Sequence, residues 1–127
     1  MARFDFAPHF SEEEFRCPCG CETLNPDRAF LERLERARVR ADIPFKITSG
    51  SRCKKHNKDV GGVDSSAHLA DEETQSHAGD IGVRGTLQRG ITLSALRAVG
   101  FTRIGIAKSF IHADCDPVLP PNRTWLY

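Results

Sequence analysis

The run Thr102-Arg103-Ile104-Gly105-Ile106-Ala107-Lys108-Ser109-Phe110-Ile111-His112-Ala113-Asp114-Cys115 decides the fold class. Thr102 to Ala107 and Phe110 to Cys115 alternate or run apolar, and only Lys108-Ser109 lies between them. So short a gap joins antiparallel strands, because a parallel pair needs a crossover of a dozen or more residues. In the second strand, residues 110, 112 and 114 share one face and Ile111 and Ala113 the other. His112 and Asp114 therefore look together into one site, while their apolar neighbours turn to a core.

Upstream of this hairpin, Gly100 stops a helix expected over Thr92 to Val99. Asp80 to Val83 is a second strand, with Ile81 and Val83 entering the core. Asp80 then starts the strand on the opposite face, where an ionised carboxylate is tolerable. Phe45 to Thr48 is a further short strand, and Ser49-Gly50-Ser51 turns into a polar helical piece ending at Gly61-Gly62. The main helix begins with Asn25 as N-cap and Pro26 in the first turn, and Pro44 marks its end. Its buried stripe is Phe30, Leu34, Ala37 and Ala41, with Leu31 beside them. A first short helix starts at Ser11, whose capping box closes on Glu14 with Phe10 and Phe15 as a hydrophobic staple. Helices first and antiparallel strands later predict an α+β fold, with N-terminal helices packed on a small antiparallel sheet.

The 127 residues suit one domain spanning 1–127, and a chain of that size buries about two-thirds of its unfolded surface without help from a metal. Any metal can therefore serve function. The 18 Lys+Arg against 17 Asp+Glu leave a formal charge of +1, too little to hold a phosphate backbone, so nucleic acid is not an expected partner. Met1 to Phe6 lacks the apolar stretch of a secretory leader and no segment is apolar enough for a membrane span. Synthesis in the cytoplasm without membrane insertion is the expectation. Five cysteines exclude a complete intrachain disulfide framework, which favours a reducing compartment. The charged residues of Arg28 to Arg40 are a solvated helix face.

Zinc takes His nitrogen and carboxylate oxygen, and a catalytic site supplies three such ligands while a fourth position stays open. His68 in a Ser/Gly-rich loop, Asp80 on a strand and His112 on the last strand are distant residues of the right chemistry to converge on one ion.

At these residues the chain resembles a known family. Thr48-Ser49-Gly50-Ser51-Arg52-Cys53, His56-Asn57, Val60-Gly61-Gly62-Val63, Ser66-Ala67-His68-Leu69, Ala78-Gly79-Asp80-Ile81 and Phe110-Ile111-His112-Ala113-Asp114 resemble, in order, the zinc D-alanyl-D-alanine peptidases. That family includes carboxypeptidases and phage-type L-alanyl-D-glutamate endopeptidases, and shares a fold with the hedgehog signalling domain. The resemblance implies a hedgehog/DD-peptidase-like α+β fold and Zn²⁺ held by His68, Asp80 and His112. It also implies hydrolysis of peptidoglycan stem peptides by a monomer of phage or prophage type, acting in the bacterial wall. Arg52 would clamp a substrate carboxylate through two hydrogen bonds. Ser66 would hold the peptide or cap the following turn. Asp114 would be the catalytic proton acceptor, or would orient His112. The separation of His68 from Asp80 exceeds the family's usual spacing: Asp71 to Gln75 reads as an insertion, and Ser76 stands where the family has glycine. A shift of register there would let His77 replace His68 as ligand.

His9 and His56 read as structural. Cys17-Pro18-Cys19-Gly20-Cys21 reads as buried thiols, as a redox pair, or as a second zinc site with His9. Cys53 and Cys115 lack a nearby base that would make either a nucleophile. The alternative function is a zinc-containing module that binds wall peptide or a protein partner without turnover.

Overall fold

The computed structural model describes residues 2–127. Its elements run β1 (Arg3–Phe4), β2 (Ala7–Ser11), α1 (Glu12–Phe15), α2 (Arg28–Ala41), β3 (Lys46–Ser49), α3 (Lys54–Asp59), β4 (Ala78–Gly82), α4 (Gly85–Ala98), β5 (Arg103–Ile106), β6 (Phe110–Asp114) and β7 (Arg123–Leu126). β1 and β2 form a small antiparallel pair, and the remaining strands form one sheet in the order β3-β4-β6-β5-β7. The hairpin expected from residues 102–115 is β5–β6, closed by the bond from Ala107 N–H to the Phe110 carbonyl at 3.0 Å.

The alternation read from the sequence sorts the sheet into two faces. Ile81, Ile104, Ile111 and Ala113 are fully or almost fully buried against Phe15 of α1 and Phe30, Leu31, Leu34 and Ala37 of α2. Burying a side chain of the Leu, Ile or Phe class contributes about 1.5–3 kcal/mol, so this face supplies most of the cohesion. Phe15, Phe30 and Phe101 stack edge to face through it, with ring centroids 6.3 and 6.0 Å apart. Asp80, His112 and Asp114 occupy the opposite face, which lines a cleft.

Several boundaries differ from the sequence reading. The N-cap of α2 is Asp27, whose carboxylate accepts from Phe30 N–H at 2.9 Å; Asn25 instead uses its side-chain amide on the carbonyls of Asp71 and Thr74. Asp27 wins because a cap must lie immediately before the first helical residue, and Pro26 precedes the helix rather than entering it. Helix α4 starts at Gly85 instead of Thr92, since neither Gly85 nor Gly90 breaks a helix that packs on α2. It also adds a later helix to the layer that was expected to hold only N-terminal ones. The sheet is mixed and not purely antiparallel, because β7, absent from the sequence reading, joins β5 in parallel. β1 and β2 were likewise not expected. The capping box at Ser11 is present: the Glu14 carboxylate accepts from Ser11 N–H at 2.9 Å. Phe10 and Phe15 pack edge to face beside it. No helix among the described residues is long and apolar enough to cross a membrane.

Candidate metal centre

Strand register places the first two groups. Asp80 of β4 lies directly opposite His112 of β6, and His112 directly opposite Gly105 of β5, which in turn faces Trp125 of β7. Directly opposed residues project from the same face of a sheet, so this row puts carboxylate and imidazole side by side. Asp80 sits in the middle of its strand and not at the start.

His68 arrives from a loop that backbone bonds fasten to the segment after β3. The Arg52 N–H donates to the His68 carbonyl at 2.7 Å, and Ala70 N–H donates to the Arg52 carbonyl at 2.9 Å. The extra residues Asp71 to Gln75 do not displace it. They close on themselves, with Asp71 N–H donating to the Thr74 carbonyl and the Asp71 carboxylate accepting from Glu73 and Thr74 N–H. Ser76 hydrogen-bonds Ser51 through their hydroxyls at 2.8 Å, a contact a glycine there could not make. His77 is not in the cluster. It lies three residues before Asp80, an odd step along an extended chain, and strand alternation turns it to the other face.

The three groups meet closely. His68 Nε2 lies 3.1 Å from Asp80 Oδ1 and 3.2 Å from His112 Nδ1, and His112 Nδ1 lies 3.0 Å from Asp80 Oδ1. His68, Asp80 and His112 are only 2%, 5% and 6% exposed. The outer nitrogen of each ring fixes its tautomer. His68 Nδ1–H donates to the Gly50 carbonyl at 2.7 Å, and His112 Nε2–H donates to Asp114 Oδ2 at 2.6 Å. Two imidazole lone pairs and one carboxylate oxygen are thereby aimed at a single point. Such a triangle of acceptors requires a cation or a proton at its centre. Zinc fits: with bonds of about 2.0–2.1 Å, tetrahedral ligand atoms stand roughly 3.3–3.4 Å apart, close to the observed edges.

Electrostatics agree with that donor set. Burial pushes the His68 imidazolium down, keeping its ring neutral and its lone pair available. Burial alone would raise the Asp80 carboxyl, but hydrogen bonds from His112 and His68 outweigh it and hold the group well below the usual carboxylate range. Burial likewise opposes charge on His112, yet the carboxylates of Asp114 and Asp80 on its two sides raise it above an ordinary histidine.

The other expected residues line the same cavity of about 570 Å³. Arg52 is heavily engaged: Nε donates to Ser49 Oγ at 2.9 Å, Nη1 to Asn57 Oδ1 and Nη2 to Asp80 Oδ2, both at 3.3 Å. Two of its five N–H donors remain for a substrate. Ser66 Oγ accepts from His68 N–H at 3.2 Å, which caps the turn that presents His68. For Asp114 two roles are expected, proton acceptor or orienter of His112. It shares the His112 face, but its oxygens are already committed, Oδ2 to His112 and Oδ1 to Arg103 Nε at 2.8 Å and to Asp116 N–H at 3.2 Å. With 1% exposure and these contacts, it holds the His112 imidazole in its orientation. His9 pairs with Glu35 and is not a member of the cysteine cluster, and His56 stays on α3 outside the cavity.

Three contacts have no counterpart in the expectations from sequence. Arg103 holds Asp114, and hairpin alternation would have found it, because residues 103 and 105 share the His112 face. Trp125 lies beside His112, ring centroids 5.3 Å apart, over Gly105, where a Cβ would stand 2.5 Å from the indole nitrogen. Gly50 supplies the His68 acceptor and packs so tightly on α1 that a Cβ would come within 2.5 Å of Phe15 Cα. No local pattern announces either of the last two.

A family model described as Peptidase M15 matches residues 8–114. No curated protein matches the chain.

Proposed function

The chain belongs to the peptidase M15 family, a zinc metallopeptidase family, and on that premise we propose that it hydrolyses peptide bonds in peptidoglycan stem peptides. The observation that carries this reading is the buried triangle of three acceptors, His68, Asp80 and His112, opening on a cleft large enough for a peptide. These three residues would hold zinc. When bound, the ion supplies a Lewis acid for the scissile carbonyl and lowers the pKa of a water toward about 7.

The protein's own groups perform the remaining tasks. Asp114, itself held by Arg103, keeps the His112 proton on Nε2 and so leaves Nδ1 free to act as ligand. The Gly50 carbonyl does the same for His68. Arg52 fixes Asp80 and presents its free donors to a substrate carboxylate or to charge developing on the carbonyl. Trp125, Tyr127, Val63 and Leu119 give the cleft apolar walls that exclude water from the peptide. Action as a monomer in the bacterial wall, as a lysin of phage or prophage type, is part of the same reading and rests on the motif resemblance.

Mass spectrometry of products from purified muropeptides, with and without chelator, tests it. Chelator-sensitive release of free D-alanine identifies a carboxypeptidase, and cleavage between L-alanine and D-glutamate an endopeptidase. A second reading, a zinc-containing module that binds wall peptide without turnover, is favoured by one observation: Asp80 and Asp114, the carboxylates lining the cavity, have both oxygens engaged. Binding of muropeptide with every bond left intact would select that reading.

A further inference from the structure

Four thiols converge outside the cleft. Cys17, Cys19 and Cys21 come from the loop after α1 and Cys53 from the turn before α3, and their Sγ atoms all lie within 4.8 Å of one another. In an extended chain, alternate residues stand roughly 6.6 Å apart, too far for this. The loop folds back instead, with Gly20 at φ 92° and Glu22 at φ 65°, and brings every second side chain to one point. Cys19 Sγ is 3.6 Å from Cys17 Sγ and 3.5 Å from Cys53 Sγ. Zinc–sulfur bonds of about 2.3 Å give a tetrahedron with edges of roughly 3.8 Å, close to this spacing. Backbone donors already face two of the sulfurs: Cys53 N–H points at Cys17 Sγ at 3.5 Å and His56 N–H at Cys53 Sγ at 3.3 Å. Cys17 is buried while Cys19 and Cys21 are exposed, so the cluster is rooted in the core and open to an incoming ion.

We propose that Cys17, Cys19, Cys21 and Cys53 form a second zinc site, separate from the His/Asp/His cleft and structural in role. Thiolates select a soft, tetrahedral ion, and four protein ligands leave no open position for a substrate. The site closes with Cys53 where His9 had been the expected partner, and Cys115 is the one cysteine outside it, which accounts for the odd count. The ion would staple the loop between α1 and α2 to the segment Gly50–Cys53. That segment carries the carbonyl that orients His68 and the guanidinium that holds Asp80, so the staple stands directly behind the cleft.

Metal analysis of the purified chain tests the assignment. Wild type is expected to hold two zinc equivalents. Cys19→Ser and Cys21→Ser are each expected to lose one and keep the other, and the double variant His68→Ala/His112→Ala to lose the complementary one. Should the serine variants fail to fold, cobalt-loaded wild type decides. A strong sulfur-to-cobalt charge-transfer absorption is expected, which the sulfur-free triangle cannot produce. A wild type that holds only one equivalent and a histidine variant left with none, a cobalt spectrum without sulfur ligation, or an intact mass reduced by two hydrogens per disulfide would each overturn the proposal.

Discussion

The two clusters of ligand atoms stand on different scaffolds. Asp80 and His112 are neighbours in a ladder of paired strands, where backbone hydrogen bonds hold their spacing with or without an ion. The four cysteines sit on a loop and a helix start with no ladder beneath them, so an ion is what would hold them together. A ligand set on strands is organised before metal arrives and can leave a coordination position open; a set on loops is organised by the metal and closes around it. His68 is intermediate: it comes from a loop, but one bonded to the backbone of Arg52 on both sides.

The largest expected effect tests whether the clusters are independent. Asp80→Ala or His112→Ala should abolish hydrolysis and remove the cleft metal, read by product analysis and metal content, while the thiol-bound metal stays. Loss of both metals would break the comparison. Next, Asp114→Asn should lower zinc affinity or activity about 10–100-fold, the usual cost of an altered partner behind a metal ligand. If Asp114 were the proton acceptor, zinc affinity would hold while the rate fell by about 10²–10⁴.

Proton competition sharpens the contrast further. His112 is raised above the ordinary 6.5 of histidine by two carboxylates, so in the metal-free chain its Nδ1 proton must leave before an ion can bind; His68 is lowered and needs no such step. Cleft zinc affinity should therefore climb about tenfold per pH unit while His112 is protonated and level off above its raised pKa. Competitive zinc titration over a pH series measures this, and a flat profile through that window would contradict the placement of His112 between Asp80 and Asp114.

Smaller effects separate ladder from loop by stability. Gly105→Ala should cost about 1–3 kcal/mol by overpacking against Trp125, and should change the emission of that single tryptophan beside His112. Lys55→Ala removes an exposed i,i+4 pair with Asp59 one turn from Cys53, and should change stability by no more than about 0.5 kcal/mol in a denaturant titration. A larger loss there would mean that α3 contributes more to the thiol cluster than its N-cap.

Much of the site was legible in the chain because it depends on local geometry. A strand alternates its side chains whatever it pairs with, so Ile111 and Ala113 had to oppose His112 and Asp114, and Ile81 had to oppose Asp80. The two-residue gap at Lys108-Ser109 determined an antiparallel hairpin for the same reason. Ordered motifs supplied the family and the three residues of the candidate metal site. Tertiary structure alone decided what is relational: that Asp80 and His112 fall in the same register, that β7 returns parallel to β5 and brings Trp125 to the cleft, that Asp114 is consumed by Arg103 and His112, and that Cys53 completes the cluster begun by Cys17. Register and loop closure depend on the summed packing of segments far apart in the chain. No window of neighbouring residues contains that sum, and so no local pattern could announce it.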